Sequence, residues 1–287
     1  MTSDNLLRTS LLFGALTFLL VTMGYFLGGT GGLIFMLIFS IIMNGGAWFF
    51  SSDLALKMNG AREVSPEEAP ELHRMVEELA VNAGLPKPKV CIVDNPVPNA
   101  FATGRNPQNA AVAATTGLMD IMNRDELAGV MAHELAHIRN RDTLISTIAA
   151  TIAGAITSVA NIAMWGALFG GFGGNDDDNP GQAIGAILMI VLAPIAAAIL
   201  QAAISRQREF AADRGGAEIA GNPLYLADAL AKLQGWQMRQ QGIPQEHQPN
   251  PATAHMYIFP IPVSRKLMST HPDTNDRIRK LREMAGM

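Results

Sequence analysis

The chain has 287 residues, 49% hydrophobic and 16% charged, with 21 Lys and Arg against 25 Asp and Glu. A formal net charge of −4 gives no reason to expect nucleic-acid binding, and a single cysteine forbids an internal disulfide. The charge is unevenly spread: residues 9–52, 143–175 and 179–205 contain no Asp, Glu, Lys or Arg, and such intervals are too long for a soluble domain of this size.

In chain order, the first uncharged interval suits two membrane helices of about twenty residues each, near 9–28 and 32–51, with Gly28-Gly29-Thr30-Gly31-Gly32 as the turn between them. A second apolar run follows the first at once and no A-x-A-like site precedes it, which argues against a cleaved leader. Glu67 to Ala83 reads as an amphipathic helix with Leu72, Met75, Val76 and Leu79 on one side, stopped by Gly84-Leu85-Pro86. Lys89 to Val93 reads as a strand in which Cys91 is a small buried residue. Asn99 to Thr103 and Ala111 to Thr116 read as a hairpin around Gly104-Arg105-Asn106-Pro107.

Asn123, followed three residues later by Glu126, is a capping-box start to the next helix. Leu127, Met131, Leu135 and Ile138 recur at helical spacing as its core stripe, so His133 and His137 project from a different side, free to face a cleft. Two histidines four apart on one helix can grip one zinc ion, and Glu134 beside the first can activate the attacking water without being a ligand itself. A hydrolytic zinc site needs a third protein ligand. The metzincin extension is absent, because Asn140 stands where that pattern needs glycine. Downstream, Glu209 and Asp213 sit four apart on one helix face: Glu209 can bind zinc while Asp213 hydrogen-bonds a ligand histidine. The same charges also fit a plain surface helix with acidic and basic residues interleaved.

The second and third uncharged intervals supply two further apolar helices, near 144–169 and 182–204, joined by the acidic loop Asp176-Asp177-Asp178. Their alanine-rich composition also fits helices buried against protein. Of the 21 basic residues, Arg8 precedes the first helix, nine lie in 53–142 and eleven in 206–287, so the positive-inside rule places both termini and the catalytic portion in the cytoplasm. Ile243 to Val263 is proline-rich and aperiodic and reads as an irregular, mobile loop, with His247 and His255 as ordinary loop residues.

Four stretches carry a resemblance: Asn99-Ala100-Phe101-Ala102-Thr103-Gly104; Val130-Met131-Ala132-His133-Glu134-Leu135-Ala136-His137; Arg206 to Asp213; and Ser269-Thr270-His271-Pro272 with Arg277-Ile278. In this order and over most of the chain, they resemble the HtpX-type membrane-bound zinc metalloproteases. That resemblance implies His133, His137 and Glu209 as ligands of one Zn²⁺ per chain, Glu134 as base, and His271 and Arg277 as active-site supports, with Arg277 holding His271. The Asn99-Ala100-Phe101 run is similar to the edge strand with which thermolysin-like peptidases hold a peptide, which makes Asn99 and Ala100 substrate-binding candidates.

The expected fold is α+β: four transmembrane helices with a discontinuous, mainly helical gluzincin-like domain carrying a small β-sheet. It divides into a membrane hairpin (1–52), a first catalytic part with the zinc helix (53–142), a second hairpin (143–205) and a second catalytic part (206–287). The resemblance implies an endopeptidase of the bacterial inner membrane that cuts misfolded or damaged membrane proteins within the lipid bilayer's reach and admits self-cleavage. A processing protease of the CAAX prenyl endopeptidase type, or a zinc-stabilised scaffold without turnover, stays open on the residues alone.

Overall fold

A computed structural model describes residues 3–149, 206–239, 244, 247–248, 253, 256–258 and 272–287. His271, His255 and the apolar segments beyond residue 149 lie outside these described residues.

Helix α1 runs over Ser3–Met58 as an unbroken stretch of helical residues, but Gly29 within it takes a left-handed φ of +58°. The Asn44 Nδ2 donates to Thr17 Oγ1 at 2.9 Å. Twenty-seven residues of straight helix would hold those side chains about 40 Å apart at 1.5 Å per residue, so the stretch doubles back on itself, and glycine supplies the conformation the reversal needs. Gly29–Phe50 is long and apolar enough to cross a bilayer, with a mean hydropathy of 2.0, and is the one such helix among the described residues. Phe35, Ile41, Ile42 and Phe50 are exposed along it, an apolar surface with no protein cover.

The sheet has four strands, β1 (Ala61–Glu63), β2 (Lys89–Val93), β3 (Ala100–Gly104) and β4 (Ala110–Thr115), in the order β1-β2-β4-β3. β1 and β2 are antiparallel, β2 and β4 parallel, β3 and β4 antiparallel. The hairpin and β2 fall where local pattern places them. β1 and the parallel pairing do not follow from any local signal. Between β1 and β2, helix α2 (Pro70–Ala83) starts with proline at its first position, ends on left-handed Gly84, and buries Leu72, Met75, Val76 and Leu79.

After the short helix α3 (Thr116–Ile121), helix α4 (Arg124–Asn140) opens with a complete capping box: the Glu126 N–H donates to Asn123 Oδ1, and the Asn123 N–H to Glu126 Oε2. Lys232 pairs with the same Oε2, so the charge of this buried glutamate is matched. Helix α4 is the centre of the molecule. β3 and helices α2, α5 (Arg206–Ala220) and α6 (Pro223–Arg239) pack around it, and α7 (Thr274–Met284) closes over α5 and α6. Two glycines permit this density: a Cβ on Gly129 would lie 2.5 Å from the Leu226 nitrogen of α6, and one on Gly216 of α5 would lie 2.9 Å from the His133 backbone.

Residues 142–149 are also helical, and their apolar side chains Leu144, Ile145 and Ile148 are buried in protein. Thr143 Oγ1 donates to the Gly104 carbonyl and Thr147 Oγ1 meets Thr103 Oγ1 at 3.0 Å, so the start of the third apolar segment is fastened to β3. At the same end, Arg105 Nη1 donates to the Phe49 carbonyl at 2.9 Å and the guanidinium covers the Phe49 ring.

Candidate metal centre

Because four residues make just over one helical turn, His133 and His137 stack on one flank of α4 with their Nε2 atoms 3.1 Å apart. Helix α5 lies across that flank, drawn close by Gly216, and brings Glu209 to them: Oε1 is 3.6 Å from His137 Nε2 and Oε2 is 4.0 Å from His133 Nε2. The ligand atoms of all three residues lie within 4.8 Å of one another, and among the described residues this is the one group of its kind. Two nitrogens at about 2.0–2.1 Å from one tetrahedral ion would stand about 3.4 Å apart, close to the observed spacing, and two imidazoles with one carboxylate is a zinc donor set. The residues present fit a metal ion.

Behind each imidazole stands a carboxylate. Asp213, one turn beyond Glu209 on the same face of α5, places Oδ1 3.0 Å from His133 Nδ1. At that distance the carboxylate favours a proton on His133 Nδ1, through a hydrogen bond and through its charge. Asp142 places Oδ2 3.2 Å from His137 Nδ1. Sequence reasoning missed Asp142; the available signal was an acidic residue five positions beyond the second histidine, just past the end of the helix.

Burial dominates the electrostatics. It lowers the pKa of His133 to about 4, with His137 and Arg277 adding to the effect against Asp213. For His137 burial also favours the neutral ring, but the Asp142 hydrogen bond and the charges of Glu209 and Glu134 outweigh it and raise the pKa to about 9. Burial pushes Glu134 up to about 7; Glu209 adds to this, while His137, Arg277 and a hydrogen bond from the Ala102 N–H oppose it. Asp213 is buried too, yet Arg277 and His133 hold it at about 2.

His137 stays partly exposed, but His133 faces no open cleft: it is 0% and Glu134 2% exposed, because α5 is seated on this flank of α4. Arg277 is likewise 1% exposed; its Nε and Nη2 donate to both Asp213 oxygens and its Nη1 to the Ile258 carbonyl. Nη1 also stands 3.9 Å from Glu209 Oε2, so its described partners are Asp213, Glu209 and Ile258, and the expected contact with His271 falls outside the described residues.

Peptidase family M48 matches residues 66–285, a span that takes in the whole cluster. The chain belongs to this family. Within it, the chain is 52% identical over 281 residues to the protease HtpX homolog of Desulfatibacillum aliphaticivorans, covering 96% of this chain and 89% of that one. It is 51% identical over 281 residues to the protease HtpX homolog of Pyrococcus furiosus, covering 97% and 95%. This M48 peptidase is of the HtpX type: a membrane metalloprotease, hydrolysing peptide bonds. The crystal structure of S. mikatae Ste24p has the same fold with a TM-score of 0.52 at 19% identity; the alignment covers 97% of this chain and 65% of the Ste24p chain.

The M48 peptidase does not present Asn99 and Ala100 as an open edge. Asn99 is buried and its Oδ1 accepts from the Ala100 N–H, while the Ala100 carbonyl accepts from the Ile258 N–H at 3.0 Å. Ile258 belongs to the stretch read as a mobile loop. Of its described members, Pro244 and Gln248 are exposed and His247 half-buried, whereas Thr253, Met256, Tyr257 and Ile258 are buried, with Tyr257 set edge-on against Phe101. Thr253 and Tyr257 both donate to Asn59 Oδ1, at 2.7 and 3.0 Å, just past the end of α1.

Proposed function

We propose that this M48 peptidase is a zinc endopeptidase of the bacterial inner membrane that cuts misfolded or damaged membrane proteins, including copies of itself. The observation that carries the reading is the convergence of His133, His137 and Glu209 beside the buried carboxylate of Glu134, on a core fastened to the ends of two apolar segments. His133, His137 and Glu209 hold one zinc ion per chain. Bound zinc supplies the Lewis acid that polarises the scissile carbonyl and makes water acidic near neutral pH. Glu134 takes the proton from the attacking water and passes it to the leaving amine, a role suited to a carboxylate raised toward neutral pH.

Asp213 orients His133, and Arg277 holds Asp213 in place through its two-pronged contact. His271 completes the site by holding the oxyanion that develops on the substrate. A peptide adds as a strand to β3 at Asn99 and Ala100, taking the place of the Ile258 N–H.

Four apolar segments (two in 1–52, two in 143–205) cross the bilayer, with the catalytic parts 53–142 and 206–287 and both termini in the cytoplasm, following the basic residues. The junction of Arg105 with Phe49, where the apolar span ends, supports a site near the membrane surface, within reach of substrate loops and tails as they emerge. Glu134→Gln in purified, zinc-loaded protein is the direct test: zinc content should stay near one per chain while cleavage of casein or a model membrane protein falls by several orders of magnitude. Near-normal turnover would remove Glu134 as the base.

A further inference from the structure

We propose, on the reading of His133, His137 and Glu209 as metal ligands, that Asp142 is the positioning residue for His137 and that Arg208 is the cation that steadies Asp142. A neutral imidazole that ligates through Nε2 must carry its proton on Nδ1 and needs an acceptor there to fix both tautomer and ring angle. Nε2 of His137 points at His133 and Glu209, and Asp142 Oδ2 stands at Nδ1, 3.2 Å away.

The chain goes to some trouble to put it there. Helix α4 ends at Asn140, and Arg141 adopts φ +63°, the one positive φ outside glycine among the described residues, with its N–H capping the His137 and Ile138 carbonyls. That conformation disfavours a residue with a Cβ and persists only where its surroundings over-determine it. It breaks α4 before residues 142–149 turn helical again, and the next side chain, Asp142, is buried against His137.

The other Asp142 oxygen faces Arg208 Nη1 at 4.0 Å, and Arg208 directly precedes Glu209. Helix α5 therefore delivers a ligand for the metal and, from the neighbouring position, a cation for the carboxylate behind a second ligand. Each histidine has the same plan, imidazole then carboxylate then guanidinium: His133 with Asp213 and Arg277, His137 with Asp142 and Arg208. The Arg277 fork is bidentate at 2.7 and 2.9 Å, whereas Arg208 approaches Asp142 only to 4.0 Å, so substitution at Arg208 should matter less than at Asp142 itself.

The test uses the full chain in detergent, with zinc alone as titrant against a competing chelator, and Co²⁺ in place of zinc to report ligand geometry by its visible absorption. Asp142→Ala should weaken zinc binding roughly ten- to a hundredfold and alter the Co²⁺ bands. Asp142→Asn, which keeps an acceptor oxygen, should recover part of the affinity, and Arg208→Gln should cost less than Asp142→Ala. The thermal midpoint of the metal-free Asp142→Asn protein, unchanged from wild type, separates positioning from folding. Zinc affinity within twofold of wild type and unaltered Co²⁺ bands in Asp142→Ala would overturn the assignment. Failure of the wild-type chain to bind zinc would overturn it together with the metal reading beneath it, and is told apart because the loss is then present before any substitution.

Discussion

Arg277 grips Asp213 across 64 residues of sequence, Nε to Oδ2 at 2.9 Å and Nη2 to Oδ1 at 2.7 Å, with both side chains buried. The pair ties α7 to α5 directly behind His133. Removing one partner of a buried pair strands the other's charge, which costs about 3–5 kcal/mol. Arg277→Met should therefore lower the urea midpoint markedly and loosen zinc, and Arg277→Lys should restore only part of both because a point charge cannot reproduce the fork. Equal zinc affinity in Arg277→Met and wild type would confine the pair to a folding role.

Proton linkage follows from the unequal histidines. His133, lowered to about 4, is already neutral at physiological pH, whereas metal-free His137, raised to about 9, carries a proton that a ligating ring must lose. Zinc uptake at pH 7.5 should release close to one proton from His137. Apparent affinity should fall about tenfold per pH unit below that pKa and level off above it. Calorimetry in buffers of different ionisation enthalpy measures the proton count, and a count of zero at pH 7.5 would contradict it.

Gly216 allows the α5 backbone to lie against that of His133, where an added Cβ would meet the His133 nitrogen and Cα at 2.9 Å. Backbone atoms cannot swing aside as a side-chain tip can. Gly216→Ala should separate the two helices, moving Glu209 and Asp213 away from the histidines. The expected result is a loss of about 1–3 kcal/mol of stability, as for overpacking, with weaker zinc retention, read by thermal unfolding and metal titration on one preparation.

Ile258 occupies the Ala100 carbonyl that the proposed substrate strand would use, and the Thr253 and Tyr257 hydroxyls hold its chain segment on Asn59. Removing both hydroxyls with Thr253→Val and Tyr257→Phe preserves the apolar packing and should make the segment easier to displace. KM for peptide should fall severalfold while kcat changes little. A rise in KM would mean that the segment helps to hold substrate.

Much of the site was legible because its parts are local. His133, Glu134 and His137 are set by helical spacing, the capping box by a three-residue offset, and Glu209 with Asp213 by one turn of α5. The hairpin, β2 and the core face of α2 are likewise short-range, since periodicity and glycine positions act within a few residues. The apolar run at Gly29–Phe50 declares itself by length and lack of charge.

Contacts between elements far apart in sequence obey no such periodicity, and there tertiary structure decided. Nothing near β2 says that β4 lies parallel to it, or near Ala100 that Ile258 caps its carbonyl. The resemblance names Arg277 as an active-site support, but only the packing of α7 on α5 pairs it with Asp213, and Asp142 passes unnoticed until the left-handed turn at Arg141 brings it onto His137. The burial that lowers His133 and raises Glu134 is also a property of the packed assembly, for desolvation depends on what covers a group and not on its neighbours along the chain.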